Sequence, residues 1–211
     1  MRSFPSWLLC LAVTAQMVIV SYQWLDRPIT LWVHNYVHLP HHAIVVAVTD
    51  LLDPLIPGAI IAVVAIGLWA LAGRTLSRLQ ATTVICSLSV LVAEATKNQL
   101  KYVFGRTWPD TWIDSNASYI HNGVYGFNWL QDGSAYRSFP SGHMAVTCAI
   151  ISVLWIWYPR LRFLYIFAAL AVAIGLVGAN YHFLSDVIAG AFVGLSSGWM
   201  AVAIWRARIS E

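Results

Sequence analysis

FPSGHMAVTCAIISVLWIWY, residues 139–158, decides what kind of molecule this is. A Pro-Ser-Gly-His turn leads into an apolar run, and Trp155, Trp157 and Tyr158 close it. A bilayer core is crossed by about 20 mostly apolar residues, with aromatic side chains gathered at the water interfaces. The stretch therefore reads as a membrane-spanning helix with polar groups at its mouth. Serine, glycine and histidine at a helix start serve either as an anion site or as an ordinary cap. The rest of the chain has to choose between the two.

Composition agrees with the membrane class. Of 211 residues, 59% are hydrophobic and 10% are charged, whereas soluble domains carry about 25% charged residues. The net charge of +3 is too small to argue for nucleic acid as a partner. Cys10, Cys86 and Cys148 all lie in apolar runs, without metal spacing or a disulfide framework, and read as small apolar fillers.

Working outward, apolar runs at roughly 6–25, 54–73, 80–100, 143–158, 162–181 and 186–205 predict an all-α, polytopic six-transmembrane-helix bundle. The first run is long enough to span, and no convincing small-x-small cleavage site follows it, so it reads as a retained helix. Arg2, Arg74, Arg78, Arg160, Arg162, Arg206 and Arg208 all fall on one side if both termini are cytoplasmic, which is the positive-inside pattern. Arg27, Lys97, Lys101, Arg106 and Arg137 fall on the other side, most of them around one loop. Basic residues placed against the topology rule call for a local reason.

Between the first two runs, Trp32, Tyr36 and the histidines predict a helix lying in the interface, followed by a second short helix. His34, His38, His41 and His42 read as interfacial and not as a metal cluster, because Pro40 interrupts the spacing and no carboxylate or cysteine pattern joins them. The expected organisation is an N-terminal part, 1–53, and a transmembrane core, 54–211. The longest loop, 105–139, is placed on the non-cytoplasmic side and is rich in Gly, Asn, Asp, Trp and Tyr. Loops of this length are usually functional or disordered, and its aromatics argue for order. Asn116 begins an Asn-Ala-Ser glycosylation pattern, which is a weak signal.

The polar residues converge on one membrane face. Lys97 and Lys101 are four apart and share a helix face, and Arg106 follows. Ser141, Gly142 and His143 open one span, and His182 and Asp186, also four apart, open another. Each has a bland reading: the lysines snorkel to headgroups, and Ser141 and Ser185 or Asp186 cap helices. Coincidence of all three on one face is much less expected, and ionisable residues at membrane depth are functional candidates by default. The set suits phosphoryl transfer. Lys101 and Arg106 supply cations, and a helix N-terminus with Gly142 lets backbone N–H groups approach a phosphate. His182, held in one tautomer by Asp186, suits a nucleophile, and His143 suits a proton donor.

At this point the sequence resembles the type 2 phosphatidic acid phosphatase superfamily of integral-membrane lipid phosphatases, over roughly residues 55–205. The family's motifs are Lys-x6-Arg-Pro, Pro-Ser-Gly-His and Ser-Arg-x5-His-x3-Asp. The second is complete as Pro140-Ser141-Gly142-His143, and the end of the third stands as His182 to Asp186. The resemblance implies six helices, a site on the non-cytoplasmic face of a cell membrane, a phosphohistidine at His182, His143 as general acid, no metal or other cofactor, and a lipid phosphate as substrate.

Two positions depart from the family. Trp108 stands where the first motif has arginine, and Leu176, preceded by Gly175, stands where the third has Ser-Arg. Arg106 and Arg137 are the nearest spare cations, and Asn180 is a further donor. Three explanations stay open: relocated cations restore the clamp, the site performs phosphotransfer or takes a different phosphoryl donor, or the chain binds lipid phosphate without turnover. Trp108, Trp112 and Trp129 read first as interfacial anchors and second as walls of a headgroup pocket.

Overall fold

The structure, a computed structural model, describes residues 3–37, 47, 51–112 and 115–209. In chain order it contains α1 (Ser3–Val20), a π-helical turn (Ser21–Leu25), α2 (Asp26–Tyr36), α3 (Leu55–Leu71), α4 (Arg78–Phe104), the short α5 (Tyr119–Asn122), α6 (Gly142–Trp157), α7 (Arg162–Gly178) and α8 (Leu184–Ile209). Among the described residues there is no β-strand. Isolated bridges join Arg106 to Phe127 and Arg137, and Trp108 to Ser118, and these pin the long loop.

Four segments are long and apolar enough to cross a membrane, judged by length and composition: Pro5–Tyr36, Arg78–Phe104, Pro159–Gly178 and Leu184–Ala207. Helices α3 and α6 are apolar but shorter. Local sequence sets several of the ends. Helix α4 opens on a capping box, with Ser77 Oγ accepting from Gln80 N at 3.2 Å and Gln80 Oε1 accepting from Ser77 N at 2.9 Å. It stops at Gly105, whose φ of 50° is left-handed and whose missing Cβ leaves room for the Asn128 carbonyl.

The N-terminal region differs from expectation. Where a span and then a separate interfacial helix were expected, α1, the π turn and α2 run without a break from Ser3 to Tyr36. The turn widens just ahead of Pro28, which brings no N–H to the helical ladder. His34 is exposed on α2. His38, His41 and His42, and with them most of the stretch where a second short helix is expected, fall outside the described residues.

Helix α6 forms the centre, and its Ala145, Ala149 and Val153 are fully buried. Helix α8 packs along it through Gly190, Gly194 and Gly198. A Cβ at these positions would meet the carbonyls of Ser141, Ala145 and Ala149. Small residues that let backbones approach are how helices associate in lipid, where apolar burial between them gives no net gain. Hydroxyls add polar ties: Ser89 Oγ donates to the Ala149 carbonyl at 3.2 Å, and Ser152 Oγ to the Leu195 carbonyl at 3.0 Å. The outer faces expose Leu9, Ile61, Leu71, Phe167 and Ile204, where a soluble bundle would present polar residues.

The two ends of the bundle differ in chemistry. At one, Arg78 donates to the Trp157 carbonyl at 2.6 Å and stacks over Tyr158, and Arg162 stacks over Trp155. At the other, the C-terminal half of α4 meets the start of α6 and the loop that leads into α8.

Candidate functional site

At that second end lies a cavity of about 130 Å³, lined by Lys97 and Lys101 of α4, Trp108 of the long loop, Gly142 and His143 of α6, and Tyr181 and His182 of the loop before α8. Asp53, Glu94, Leu52, Ile56 and Val146 complete the lining. The rings of His143 and His182 are 6.4 Å apart.

His182 is held from behind. Its Nδ1 lies 3.5 Å from Asp186 Oδ2 and 3.4 Å from Ser138 Oγ. The carboxylate is fixed in turn by Ser138 Oγ at 2.7 Å and by the Phe183 N–H at 3.0 Å. The Leu176 carbonyl accepts from both Tyr181 N and His182 N, which sets the loop. Burial pushes the His182 imidazole below its usual pKa, and the hydrogen bond and charge of Asp186 only partly oppose this.

Arg106 is not in the cavity, contrary to its expected role as a phosphate ligand. It is fully buried behind His182, and its guanidinium bridges two carboxylates. Nη1 donates to Asp186 Oδ1 and to Ser185 Oγ, and Nη2 donates to Asp26 Oδ2 at 2.7 Å. Tyr22, Tyr125, Phe127 and Phe183 surround it with rings. Burial works against its charge, but Asp186 and Asp26 outweigh it and raise its pKa. The physical reason for the placement is supply: two buried carboxylates need a cation more than the cavity does.

Arg137 also departs from its expected place. Its side chain is half exposed and donates to Asp132 at 2.8 Å, which together with the Gly133 N–H lowers the Asp132 pKa. Only its carbonyl serves the site, accepting from Lys101 Nζ at 2.6 Å. Ser141 caps α6 and does not line the cavity: its Oγ accepts from Met144 N at 3.4 Å, and its own N–H donates to the Asp186 carbonyl at 3.0 Å. Gly142, in the first turn of α6, keeps the expected place on the cavity wall. Asn180 is turned away, its Nδ2 on the Thr30 carbonyl at 3.3 Å. Asn116 is buried, and its amide is engaged with Trp112 and Ala117.

A sequence profile described as the PAP2 superfamily matches residues 82–210. The chain belongs to the PAP2 superfamily. Among curated relatives, a lipid A 1-phosphatase of Rhizobium etli is 31% identical over 114 residues, covering 54% of this chain and 45% of the relative. One from Rhizobium johnstonii is 32% identical over 106 residues, 50% of this chain and 41% of the relative. A third, from Porphyromonas gingivalis, is 34% identical over 96 residues, 41% of this chain and 22% of the relative. The chain thus spans less than half the length of these relatives. The crystal structure of a transmembrane PAP2-type phosphatidylglycerolphosphate phosphatase from Bacillus subtilis is similar in fold, with a TM-score of 0.57 and 18% identity over 98% of both chains.

Both departures from the PAP2 motifs have a clear structural place. Trp108 is buried, donates Nε1 to the Ser134 carbonyl at 2.9 Å, and lays its ring 5.3 Å from His182 and 5.2 Å from Tyr181. It is a cavity wall, not an interfacial anchor. Leu176 is buried in an apolar cluster with Met144, Cys148 and Val187. Trp129, by contrast, is exposed, packed at its edge on Phe104.

Sequence reasoning missed Asp26, Ser138 and Tyr181. Asp26 lies outside the PAP2-matched stretch and 80 positions from Arg106. Its one visible signal was a carboxylate at the end of an otherwise apolar helix.

Proposed function

We propose that the chain is a lipid phosphatase acting through a phosphohistidine. The carrying observation is that both motif histidines line one cavity with lysines, while Asp186 stands behind Nδ1 of His182. With Nδ1 turned to Asp186, Nε2 is the nitrogen available to attack. Its lone pair forms the N–P bond as the P–O bond to the lipid breaks, and His143 gives its proton to the leaving oxygen. His143 then takes a proton from water, whose oxygen attacks phosphorus and releases phosphate and free His182. Lys101 and the Gly142 backbone hold the phosphoryl oxygens. No metal takes part on this reading.

The names of the Rhizobium relatives favour a phosphorylated glycolipid of the lipid A type as substrate. The rings of Trp108 and Tyr181 at the cavity suit the apolar faces of a sugar. The likeness to the Bacillus subtilis structure supports the fold alone. We read α1 through α8 as crossing the bilayer six times, with the Arg78 and Arg162 end cytoplasmic and the cavity facing out. Within this arrangement the core, 54–211, carries the chemistry and the region 1–53 contributes Asp26.

The test is phosphate release from lipid A, phosphatidylglycerophosphate, phosphatidic acid and a polyprenyl diphosphate, with chelator present. Wild type releases phosphate from one of them, and His182→Ala loses the activity by at least roughly 10³-fold. Release that survives the substitution sinks the nucleophile assignment, and loss of wild-type activity on adding chelator sinks metal independence.

A further inference from the structure

We propose that Lys97 is a phosphate ligand, filling the electrostatic place that the two missing family arginines leave. The inference rests on the phosphatase reading of the cavity and adds a residue that no motif contains.

A dianionic phosphoryl group needs more than one cation in a site of low polarity. Trp108 and Leu176 supply none. Arg106 is spent on Asp26 and Asp186, and Arg137 on Asp132. Among the described residues, the cations that line the cavity are Lys97 and Lys101.

The side chain of Lys97 does not snorkel outward. It is only 15% exposed and folds toward the start of α6. Its Nζ lies 3.0 Å from the point where a Cβ on Gly142 would stand, and its Cδ and Cε lie 3.1 and 3.2 Å from that point. The ammonium therefore rests on the bare backbone of the first turn of α6, where helix N–H groups lack intrahelical acceptors. Two sources of positive potential meet at one spot, and they repel each other unless an anion lies between them. Glu94 supplies a stand-in: its Oε1 accepts from Lys97 Nζ at 3.0 Å and also from Asn98 Nδ2 at 2.9 Å. A phosphate entering the cavity competes with Glu94 for the ammonium. Gly142 is thus required at this position for a reason besides backbone approach to the ligand: a side chain there would push Lys97 away.

The test separates this inference from the turnover reading by measuring inorganic phosphate binding to the full chain in detergent, in a His182→Ala background that cannot react. The readout is the phosphate-dependent shift of the unfolding midpoint. Lys97→Met weakens phosphate affinity roughly 10- to 100-fold, the scale of one charged hydrogen bond. Lys97→Arg restores most of it, and Glu94→Gln, which removes the competing carboxylate, tightens it. In the catalytically intact chain, Lys97→Met raises KM for the lipid phosphate. Unchanged affinity in Lys97→Met, no phosphate binding by the parent, or weakening by Glu94→Gln equal to that by Lys97→Met overturns the proposal. The last result would mark the pair as merely structural. Lys97-dependent phosphate binding in a chain that hydrolyses no lipid phosphate upholds the ligand and refutes the phosphatase.

Discussion

His182 has its charge state set by opposing neighbours. Burial disfavours the imidazolium, Asp186 favours it, and Lys101 and Arg106 disfavour it again. The net direction is downward from the ordinary value of about 6.5. On the proposed phosphohistidine reading His182 has to be deprotonated to attack, so kcat/KM should fall on the acid side with a midpoint below that value. A pH–rate profile checks this, and a midpoint above the ordinary histidine value would contradict it. The histidines, Asp186 and Lys101 were legible in the sequence because fixed short spacings bring them to helix mouths. Arg106 and Arg137 were misread for a physical reason. Sequence proximity to the motifs shows that a cation is near the site, but not which anions compete for it. Arg106 went to Asp26, which approaches from another helix, and Arg137 went to Asp132 at the surface.

Among the elements, the contact between α6 and α8 sets the position of both histidines. The glycine stripe on α8 is the device, and it makes a direct prediction. Gly194→Ala places a methyl against the Ala145 carbonyl, the Ala149 N–H and the Cys148 Cβ. Overpacking of this kind costs about 1–3 kcal/mol. Gly67→Ala on α3 meets nothing within 4 Å, and so gains only the helix propensity of alanine. Unfolding midpoints in detergent should therefore move in opposite directions for the two variants. The apolar runs located these helices well: 143–158 became Gly142–Trp157, and 162–181 became Arg162–Gly178. Hydropathy did not show where the first helix ends. Asp26, Arg27 and Pro28 look like a stop on that criterion, yet the backbone runs on to Tyr36 because Asp26 has a buried partner instead of water.

On the scale of the whole molecule, the N-terminal helix is tied into the site by charge. Asp26 accepts from Arg106 and from the N–H of Ser185 at 3.0 Å, the residue beside Asp186. Asp26→Asn keeps the shape and removes one charge. We expect kcat to drop roughly tenfold or more, with the acid limb of the pH profile displaced further down, since Arg106, whose charge disfavours a charged His182, is left with one balancing carboxylate fewer. A purely structural defect would lower the rate equally at every pH.

Asp26, Arg106 and Asp186 carry two negative charges and one positive, a surplus of one anion sealed behind His182. When an imidazole already bearing a proton on Nδ1 takes a phosphoryl group on Nε2, the ring becomes cationic. Its counterion is then already in place and oriented, and nothing has to rearrange as the charge appears. An N-terminal helix exchanged for another of equal hydrophobicity would still fill the membrane, but it would leave that ring without its balance.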